Sequence, residues 1–257
     1  MLGIIEGITE FLPVSSTGHL LIAERWLHLH ESDLFNVVIQ CGAVLAVLPL
    51  FPDRLRQFIF KWREKSTQDY ALKVMVAFVI TGIGGLILVK NGFKLPKALG
   101  PIAWAVLIGG VGFILVERWL RGRPLHNRIT WPIVFAVAIG QLIAAVFPGA
   151  SRSGTTILLA LVLGLNRAAA VEYTFLVGIP TMLAAGGWEI YDKLRHHTGA
   201  APENWGMDLL GFLVAAILSF IAVKWLLRYI QTHTFTLFGW YRIALAAVIC
   251  LGLIFLG

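Results

Sequence analysis

Cysteine and charge are both scarce in this chain. Its 257 residues include two cysteines, Cys41 and Cys250, and each lies within an apolar run without metal-ligand spacing. The sequence therefore excludes a disulfide framework, and we interpret both residues as small core side chains. Charged residues make up 14% of the chain and hydrophobic residues 58%, with a mean hydropathy of +0.81. This composition excludes an ordinary soluble domain and predicts an all-α, polytopic membrane protein.

The sequence also lacks the features of two further classes of protein. The net charge is +7 and the isoelectric point is near 9.7, but the lysines and arginines lie in short connections between apolar runs. That distribution is typical of membrane topology, so we expect no nucleic-acid partner. No cleavable signal peptide is predicted, because Glu6 and Glu10 interrupt the only apolar run near the N-terminus.

Apolar runs and prolines divide the chain into hairpins and spans. Residues 1–11 are too few to cross a hydrocarbon core of about 30 Å, and Pro13 ends any helix there. A polar loop and a second short helix at 19–28 follow, which predicts a re-entrant hairpin. The pattern around Pro148 predicts another, from helices at 131–147 and 155–165. The apolar runs long enough to span the membrane are residues 34–51, 71–89, 99–120, 173–190, 209–227 and 238–256.

The order of one hairpin and three spans occurs twice. We therefore predict a single membrane domain, 1–257, built from a first repeat at 1–120 and a second at 131–257, displaced by roughly 135 residues. An odd number of spans per repeat makes the second copy enter from the opposite side. The fold predicted is thus a pair of inverted repeats, with six transmembrane helices plus two re-entrant helical hairpins. Such repeats bring their polar elements near the midplane of the membrane.

The basic residues fall unequally on the two predicted sides of the membrane. Because cytoplasmic loops carry more Lys and Arg, the richer side is predicted to be the cytoplasm. The N-terminus, the first hairpin and the C-terminus are then on the outer side. The cytoplasmic group is Arg54, Arg56, Lys61, Arg63, Lys65, Lys73, Arg118, Arg121, Arg123, Arg128, Arg167 and Arg228, and the outer group is Arg25, Lys90, Lys94, Lys97, Lys193 and Arg195.

Polar residues gather in one stretch near the N-terminus, beginning with two carboxylates. Glu6 and Glu10 lie four residues apart, so on a helix they share one face with Cβ atoms about 5–6 Å apart. When two carboxylates lie at such a short distance in apolar surroundings, binding of a cation between them is favoured. A hard divalent ion such as Mg²⁺ suits them, because it binds one or two carboxylates together with phosphate oxygens. The alternative is that this segment lies at the water interface with both carboxylates solvated.

Three hydroxyl residues follow the carboxylates in direct succession. Ser15, Ser16 and Thr17 precede a predicted helix start and are followed by Gly18. A plain N-cap needs one hydroxyl, so the run is more typical of an anion cradle whose amides point at phosphate. His19 lies three residues after Ser16, where an imidazole could exchange a proton with the serine. The alternative for His19 is a structural role.

The second polar loop is basic. Arg152 lies between two short apolar helices, where a guanidinium needs an anion. We expect it to bind a phosphate through two parallel hydrogen bonds. A permanent ion pair with Glu6 or Glu10 is the alternative. Gln141, within an apolar segment, is interpreted as supporting or structural. The loop residues that could add hydrogen bonds to a phosphate are Ser151, Ser153, Gly154 and Thr156.

Two motifs carry a resemblance to a known family. They are Glu6-Gly7-Ile8-Thr9-Glu10-Phe11-Leu12-Pro13-Val14-Ser15-Ser16-Thr17-Gly18-His19 and Pro148-Gly149-Ala150-Ser151-Arg152-Ser153-Gly154. With them, nearly the whole chain resembles the undecaprenyl pyrophosphate phosphatases of the bacitracin-resistance type. The resemblance implies metal-assisted hydrolysis of a C55 isoprenoid pyrophosphate to the monophosphate, which recycles the lipid carrier of cell-wall synthesis in the bacterial plasma membrane. Members of that family have a longer segment before the first glutamate, so the first helix here looks truncated by comparison, and the sequence leaves open whether the native N-terminus is longer.

The resemblance also implies roles for individual residues. Ser16 is the expected nucleophile, His19 its acid/base partner and Arg152 the charge stabiliser, while Glu6 and Glu10 hold Mg²⁺ or Ca²⁺ and Glu10 takes part in catalysis. The sequence leaves open whether Ser16, His19 or water attacks the phosphorus. Contacts to the substrate phosphates are expected from Ser15, Thr17, Ser151, Ser153, Gly154 and Thr156.

A second class of function also fits inverted repeats with broken helices. Secondary transporters are built in this way, so the alternative is a transporter or flippase of an anionic lipid or small anion. Transport requires no nucleophile, whereas the phosphatase hypothesis explains Ser16, His19 and Arg152 together. Sequence does not determine the oligomeric state, and a homodimer is one expectation.

Overall fold

The fold is a bundle of α-helices with two short helical hairpins. A computed structural model describes residues 1–27, 32–93, 98–195 and 205–256. The predicted helix end at His28 and the two basic residues Lys94 and Lys97 lie outside these residues. The helices within them are α1 (Leu2–Thr9), α2 (Ser16–Leu27), α3 (Asp33–Val47), α4 (Pro52–Phe60), α5 (Lys65–Lys90), α6 (Leu99–Trp119), α7 (Trp131–Val146), α8 (Arg152–Val162), α9 (Arg167–Arg195), α10 (Trp205–Thr232) and α11 (Thr236–Leu256).

Among the residues that the structure describes, five helices are long and apolar enough to cross a membrane: α5, α6, α9, α10 and α11. A sixth span results if α3 and α4 are counted together, although they are bent by 78°. A short 3₁₀ helix, Leu48–Leu50, and two prolines, Pro49 and Pro52, lie at the bend. Proline lacks the N–H that a continuous helix requires, which explains why this predicted span does not run straight to residue 51. The prediction of an all-helical, polytopic membrane protein is confirmed.

The two predicted hairpins are seen as pairs of short helices that contact each other. Helix α1 packs on α2, and α7 packs on α8. Helices α2 and α8 begin three residues earlier than predicted, at Ser16 and Arg152. Both residues therefore lie in the first turn of a helix and not in a loop, because the preceding serines cap the two helices.

Helices from the two halves of the chain interleave. Helix α1 packs on α10, α3 packs on α9 and α10, α6 packs on α11, and α5 packs on α7 and α9. Glycines permit the closest of these approaches: a Cβ added to Gly7 would lie 2.5 Å from the Ala215 carbonyl oxygen, and one on Gly42 would lie 2.5 Å from the Phe212 carbonyl oxygen. Small residues at helix crossings are typical of membrane bundles, where backbones gain contact by approaching closely.

The buried core begins beneath the first hairpin loop. Phe11 and Phe175 are fully buried, and their ring centroids are 4.9 Å apart in an edge-to-face arrangement. The cysteines do not follow the core prediction, which is wrong for Cys250: its side chain is exposed on α11, and Cys41 is half-buried. Both thiols are free. Apolar exposure on a spanning helix is compatible with lipid, so burial in protein is not required there.

Candidate active site

The two hairpin loops end in the same local structure. Ser15 has φ 77° and Ser151 has φ 67°, a left-handed conformation that is uncommon outside glycine. Each serine Oγ accepts a hydrogen bond from the amide three residues later, from Gly18 at 3.3 Å and from Gly154 at 3.1 Å. These bonds satisfy amides at the starts of α2 and α8. As a result, Ser16 and Arg152 occupy equivalent positions, each directly after its capping serine.

Glu10 joins the two loops through its carboxylate. The Ser16 hydroxyl donates to Glu10 Oε2 at 2.5 Å, and Arg152 Nη2 donates to Glu10 Oε1 at 3.4 Å. The carboxylate is buried, with 6% of the Glu10 surface exposed. Hydrogen bonds to a charged acceptor are shorter and stronger than neutral ones. The structure thus brings a hydroxyl, a carboxylate and a guanidinium from distant parts of the sequence into direct contact.

Arg152 keeps donors that no protein group accepts. Its Nε and Nη1 atoms are buried and have no hydrogen-bond partner. The guanidinium lies against the backbone of α9, where a Cβ added to Gly178 would be 1.7 Å from Nη1. A buried guanidinium with two unpaired nitrogens is costly unless an anion arrives. The predicted alternative, an ion pair with Glu10, is present, but it uses only part of the fork.

Glu6 also has an unpartnered atom. Its side chain is 2% exposed, and Oε2 has no hydrogen-bond partner. Glu6 lies one helical turn before Glu10 on α1. In the part of the chain that the structure describes, no group of three or more His, Cys, Asp or Glu side chains is arranged to hold a metal. Two carboxylates with a free, buried oxygen fit a Mg²⁺-type ion that completes its shell with phosphate oxygens.

A cavity of about 220 Å³ opens beside these groups. Five of the predicted site residues line it, together with polar residues outside the predicted site. Gln141 donates from Nε2 to Thr81 Oγ1 at 3.0 Å, and its Oε1 is buried without a partner. The predicted residues in the wall are Glu10, Ser16, Thr17, Ser151 and Arg152, and the unassigned polar ones are Gln40, Thr81, Gln141 and Thr181.

His19 has different partners from those predicted. Its Nδ1 donates to the Ser15 carbonyl at 2.7 Å, and its Nε2 shares a hydrogen bond of 2.7 Å with the Tyr241 hydroxyl. Because a carbonyl only accepts, Nδ1 must carry the proton in this pairing. Both ring nitrogens are therefore engaged, and the predicted contact between His19 and Ser16 is replaced by that between Glu10 and Ser16. Participation of His19 in the reaction stays a prediction.

Four of the predicted phosphate contacts make hydrogen bonds inside the loops, and their contact with phosphate stays a prediction. Ser15 is 1% exposed and caps α2, and the Gly154 amide donates to Ser151. Ser153 is fully buried and donates to the Leu12 carbonyl at 3.1 Å, and Thr156 Oγ1 donates to the Arg152 carbonyl at 2.7 Å. Buried hydroxyls and amides need such partners. Thr17 and Ser151 are the two predicted contacts that line the cavity.

The fold and the site together define a class of protein: an all-helical, multi-pass membrane protein with a carboxylate, a hydroxyl and an arginine gathered at a buried cavity between two helical loops. Both loops contribute side chains to the wall of that cavity. The arrangement is suited to an anionic ligand and places a hydroxyl and a cation on the same carboxylate.

Comparison with known proteins gives the family. The family model described as bacitracin resistance protein BacA matches residues 1–248, and the chain belongs to this family. A curated undecaprenyl-diphosphatase of Rhizobium etli is 54% identical over 250 residues, which cover 97% of this chain and 94% of that protein. The protein of the same name from Xanthomonas axonopodis pv. citri is 48% identical over 254 residues, covering 98% and 95% of the two chains. The resemblance predicted from the two motifs is confirmed.

Proposed function

We propose that this protein hydrolyses undecaprenyl pyrophosphate to undecaprenyl phosphate and inorganic phosphate in the bacterial plasma membrane. The family and the names of its relatives support the reaction. One observation supports the location of the chemistry: Glu10 contacts both the Ser16 hydroxyl and the Arg152 guanidinium at the wall of the cavity. A nucleophile next to a base and a phosphate-binding cation are groups that phosphoryl transfer can use.

The geometry favours Ser16 as the nucleophile and Glu10 as its base. The Ser16 proton passes to Glu10 Oε2 while Oγ bonds to the terminal phosphorus, and the bond from that phosphorus to the bridging oxygen breaks. The bridging oxygen leaves with the bonding electrons as undecaprenyl phosphate. Water then attacks the phosphoserine, the bond from phosphorus to Oγ breaks, and Glu10 returns its proton to Oγ. Inorganic phosphate leaves as H₂PO₄⁻, which carries both protons of the attacking water.

Arg152 acts on the charge of the phosphate. Its unpartnered Nε and Nη1 donate to two phosphate oxygens, while Nη2 stays on Glu10. Preorganised donors of this kind stabilise charge that develops in the transition state and need no rearrangement when it forms. Arg152 is therefore assigned to binding and stabilisation of the transferred phosphoryl group.

A divalent metal is part of the proposal. Glu6 and Glu10 would hold Mg²⁺ or Ca²⁺, with Glu6 Oε2 as the free protein oxygen. Such an ion, when bound, neutralises phosphate charge and orients the substrate. Glu6→Gln keeps the shape of the side chain and loses its charge, so we expect activity to need a higher metal concentration. Glu64→Gln, at an exposed ion pair with Lys61, is the control.

A metal titration of phosphate release decides this assignment. If Glu6→Gln shows the metal dependence of the wild type and loses only maximal rate, Glu6 is not a ligand. Glu10→Gln is a less clean test, because Glu10 also contacts Ser16.

The orientation and the oligomeric state belong to the proposal as well. The distribution of Lys and Arg supports an outer location for the first hairpin and the C-terminus. A homodimer would be detected as twice the protein mass of the chain by light scattering in detergent. The hydrolysis mechanism needs no partner, since one chain supplies Glu10, Ser16 and Arg152.

Phosphate release by the purified chain tests the main proposal. Wild-type protein should release one inorganic phosphate per undecaprenyl pyrophosphate, and Ser16→Ala should lose this activity while still binding the lipid, because the hydroxyl acts mainly in the transition state. Thr155→Ala is a matched control, since that hydroxyl donates to the Ala150 carbonyl and lies away from the cavity wall. Lipid movement between leaflets without any phosphate release would favour the transporter instead.

A further inference from the structure

Arg242, on α11, is fully buried and is the largest such side chain among the described residues. Its guanidinium makes five contacts, all of them to backbone carbonyl oxygens. Nε donates to Val106 at 3.1 Å, Nη1 to Pro13 at 3.2 Å, and Nη2 to Ala105, Gly149 and Ala150 at 3.2, 3.1 and 3.1 Å. A single side chain thus contacts helix α6 and the loops of both hairpins.

The contacts of Arg242 differ from those of an ordinary buried ion pair. No described carboxylate lies within ion-pair distance of it, whereas Arg54, Arg152 and Arg167 each pair with a glutamate. Burial of an unpaired guanidinium is expensive. The carbonyls it contacts are at the loop prolines and in α6. At the loops the chain leaves helix geometry, and carbonyls there need donors from elsewhere. Arg242 supplies those donors.

The position of Arg242 is directly behind the active-site loops. A Cβ added to Gly154, in the first turn of α8, would lie 3.0 Å from Arg242 Nη1. Pro13 precedes Ser16 by three residues, and Ala150 precedes Arg152 by two. The same guanidinium therefore bridges the loop that precedes Ser16 and the loop that precedes Arg152.

We propose that Arg242 is a positioning residue that holds the two loops in the register required for catalysis. This inference rests on the proposed phosphatase activity. The planar fork of the guanidinium is needed, because the acceptors belong to three separate segments and one N–H group of Nη2 is shared between two acceptors. Displacement of reacting groups by about 1 Å is enough to lower the rate roughly 10²-fold. A small change at Arg242 that moves the Ser16 loop should therefore lower the rate of hydrolysis.

Two variants disturb the fork in different ways. Arg242→Lys keeps the positive charge but offers one ammonium in place of the fork. Gly109→Ala leaves Arg242 intact and pushes it, since the new Cβ would lie 2.2 Å from Nη2 and 2.7 Å from Cζ. Gly100→Ala is the control on the same helix, because its Cβ would meet nothing within 4 Å.

The measurements are kcat, KM and the number of lipid pyrophosphate molecules bound per chain, on full-length protein in detergent. The number of lipid molecules bound per chain gives the fraction of chains with a folded site. It therefore distinguishes a lower rate at each site from a smaller number of folded sites. We expect Arg242→Lys and Gly109→Ala to lower kcat per binding site by about 10²-fold with KM changed far less. Gly100→Ala should behave as wild type.

Other results overturn the inference. If both variants keep kcat per binding site within a few fold of wild type, or lose activity only in proportion to lost sites, Arg242 is structural. If neither variant folds, Arg242 serves folding and the positioning role is also overturned. A wild-type protein that releases no phosphate would instead overturn the proposed function, before any variant is compared.

Discussion

At the scale of single residues, the hydrogen bonds of Arg152 give the most specific prediction. One nitrogen is on Glu10, and two buried nitrogens have no partner. Arg152→Lys keeps the charge but cannot hold Glu10 and two phosphate oxygens at once. We therefore expect it to lower kcat nearly as far as Arg152→Ala, by about 10²-fold or more. Phosphate-release kinetics on both variants check this, and a lysine variant with most of the wild-type turnover would mean that charge alone suffices.

A second prediction moves Arg152 without replacing it. In Gly178→Ala the new Cβ would lie 1.7 Å from Nη1 and 2.8 Å from Cζ, so the flexible end of Arg152 must shift. We expect a loss of about 10²-fold in kcat, because misplacement of a positioned group by about 1 Å has that effect. The melting temperature should change little. Gly187→Ala, on the same helix with nothing within 4 Å, should keep full activity; equal activity in the two variants would contradict the role of the guanidinium position.

The residues that could be predicted share one physical property. Glu10, Ser16 and Arg152 belong to polar clusters in an apolar chain, and such clusters are too costly to be incidental. Thr81 and Thr181 could not be predicted, because a lone threonine in an apolar helix usually donates to its own backbone. They do so here, to the Ala77 and Val177 carbonyls, while also lining the cavity.

At the scale of helices, α1 carries both carboxylates and depends on α10 for its position. Gly7→Ala would bring a Cβ to 2.5 Å from the Ala215 carbonyl oxygen, and backbone cannot yield as a side chain can. We expect the free energy of unfolding to fall by about 1–3 kcal/mol, the usual cost of overpacking. Activity should also fall, because α1 shifts. Thermal unfolding and phosphate release measure both effects. Gly85→Ala on α5, with open space around it, is the control, and matched behaviour of the two variants would argue against close packing of α1.

Helix boundaries were predicted less well than helix existence. The prolines predicted where both hairpins turn, but the serine caps that start α2 at Ser16 and α8 at Arg152 depend on a left-handed backbone at Ser15 and Ser151. Serine rarely adopts that conformation, so the residue type at Ser15 and Ser151 did not predict a left-handed backbone or the helix starts that depend on it. The contact between Arg242 on α11 and the two loops was not predicted either. Arg242 is a single basic residue near a helix start, where a cytoplasmic anchor is the ordinary interpretation.

At the scale of the whole molecule, the charge distribution predicts its orientation. A reporter that is active only outside the cytoplasm should work when fused after Gly257 and when inserted after Lys90. It should fail when inserted between Arg54 and Lys65, because that segment carries several cytoplasmic basic residues. Activity of the last fusion with silence of the other two would reverse the orientation and leave the helical fold unchanged.

During synthesis, α1 enters the membrane first, and its packing partner α10 follows only after all of α2–α9. Helix α6 is likewise synthesised before its packing partner α11, which also carries Arg242. Early helices must therefore persist in lipid without their final neighbours, and we expect the protein to become active only once α11 is in place. A chain terminated before α11 contains Glu10, Ser16 and Arg152 but lacks the side chain that holds their loops. Such nascent or broken chains should be inert toward the lipid carrier.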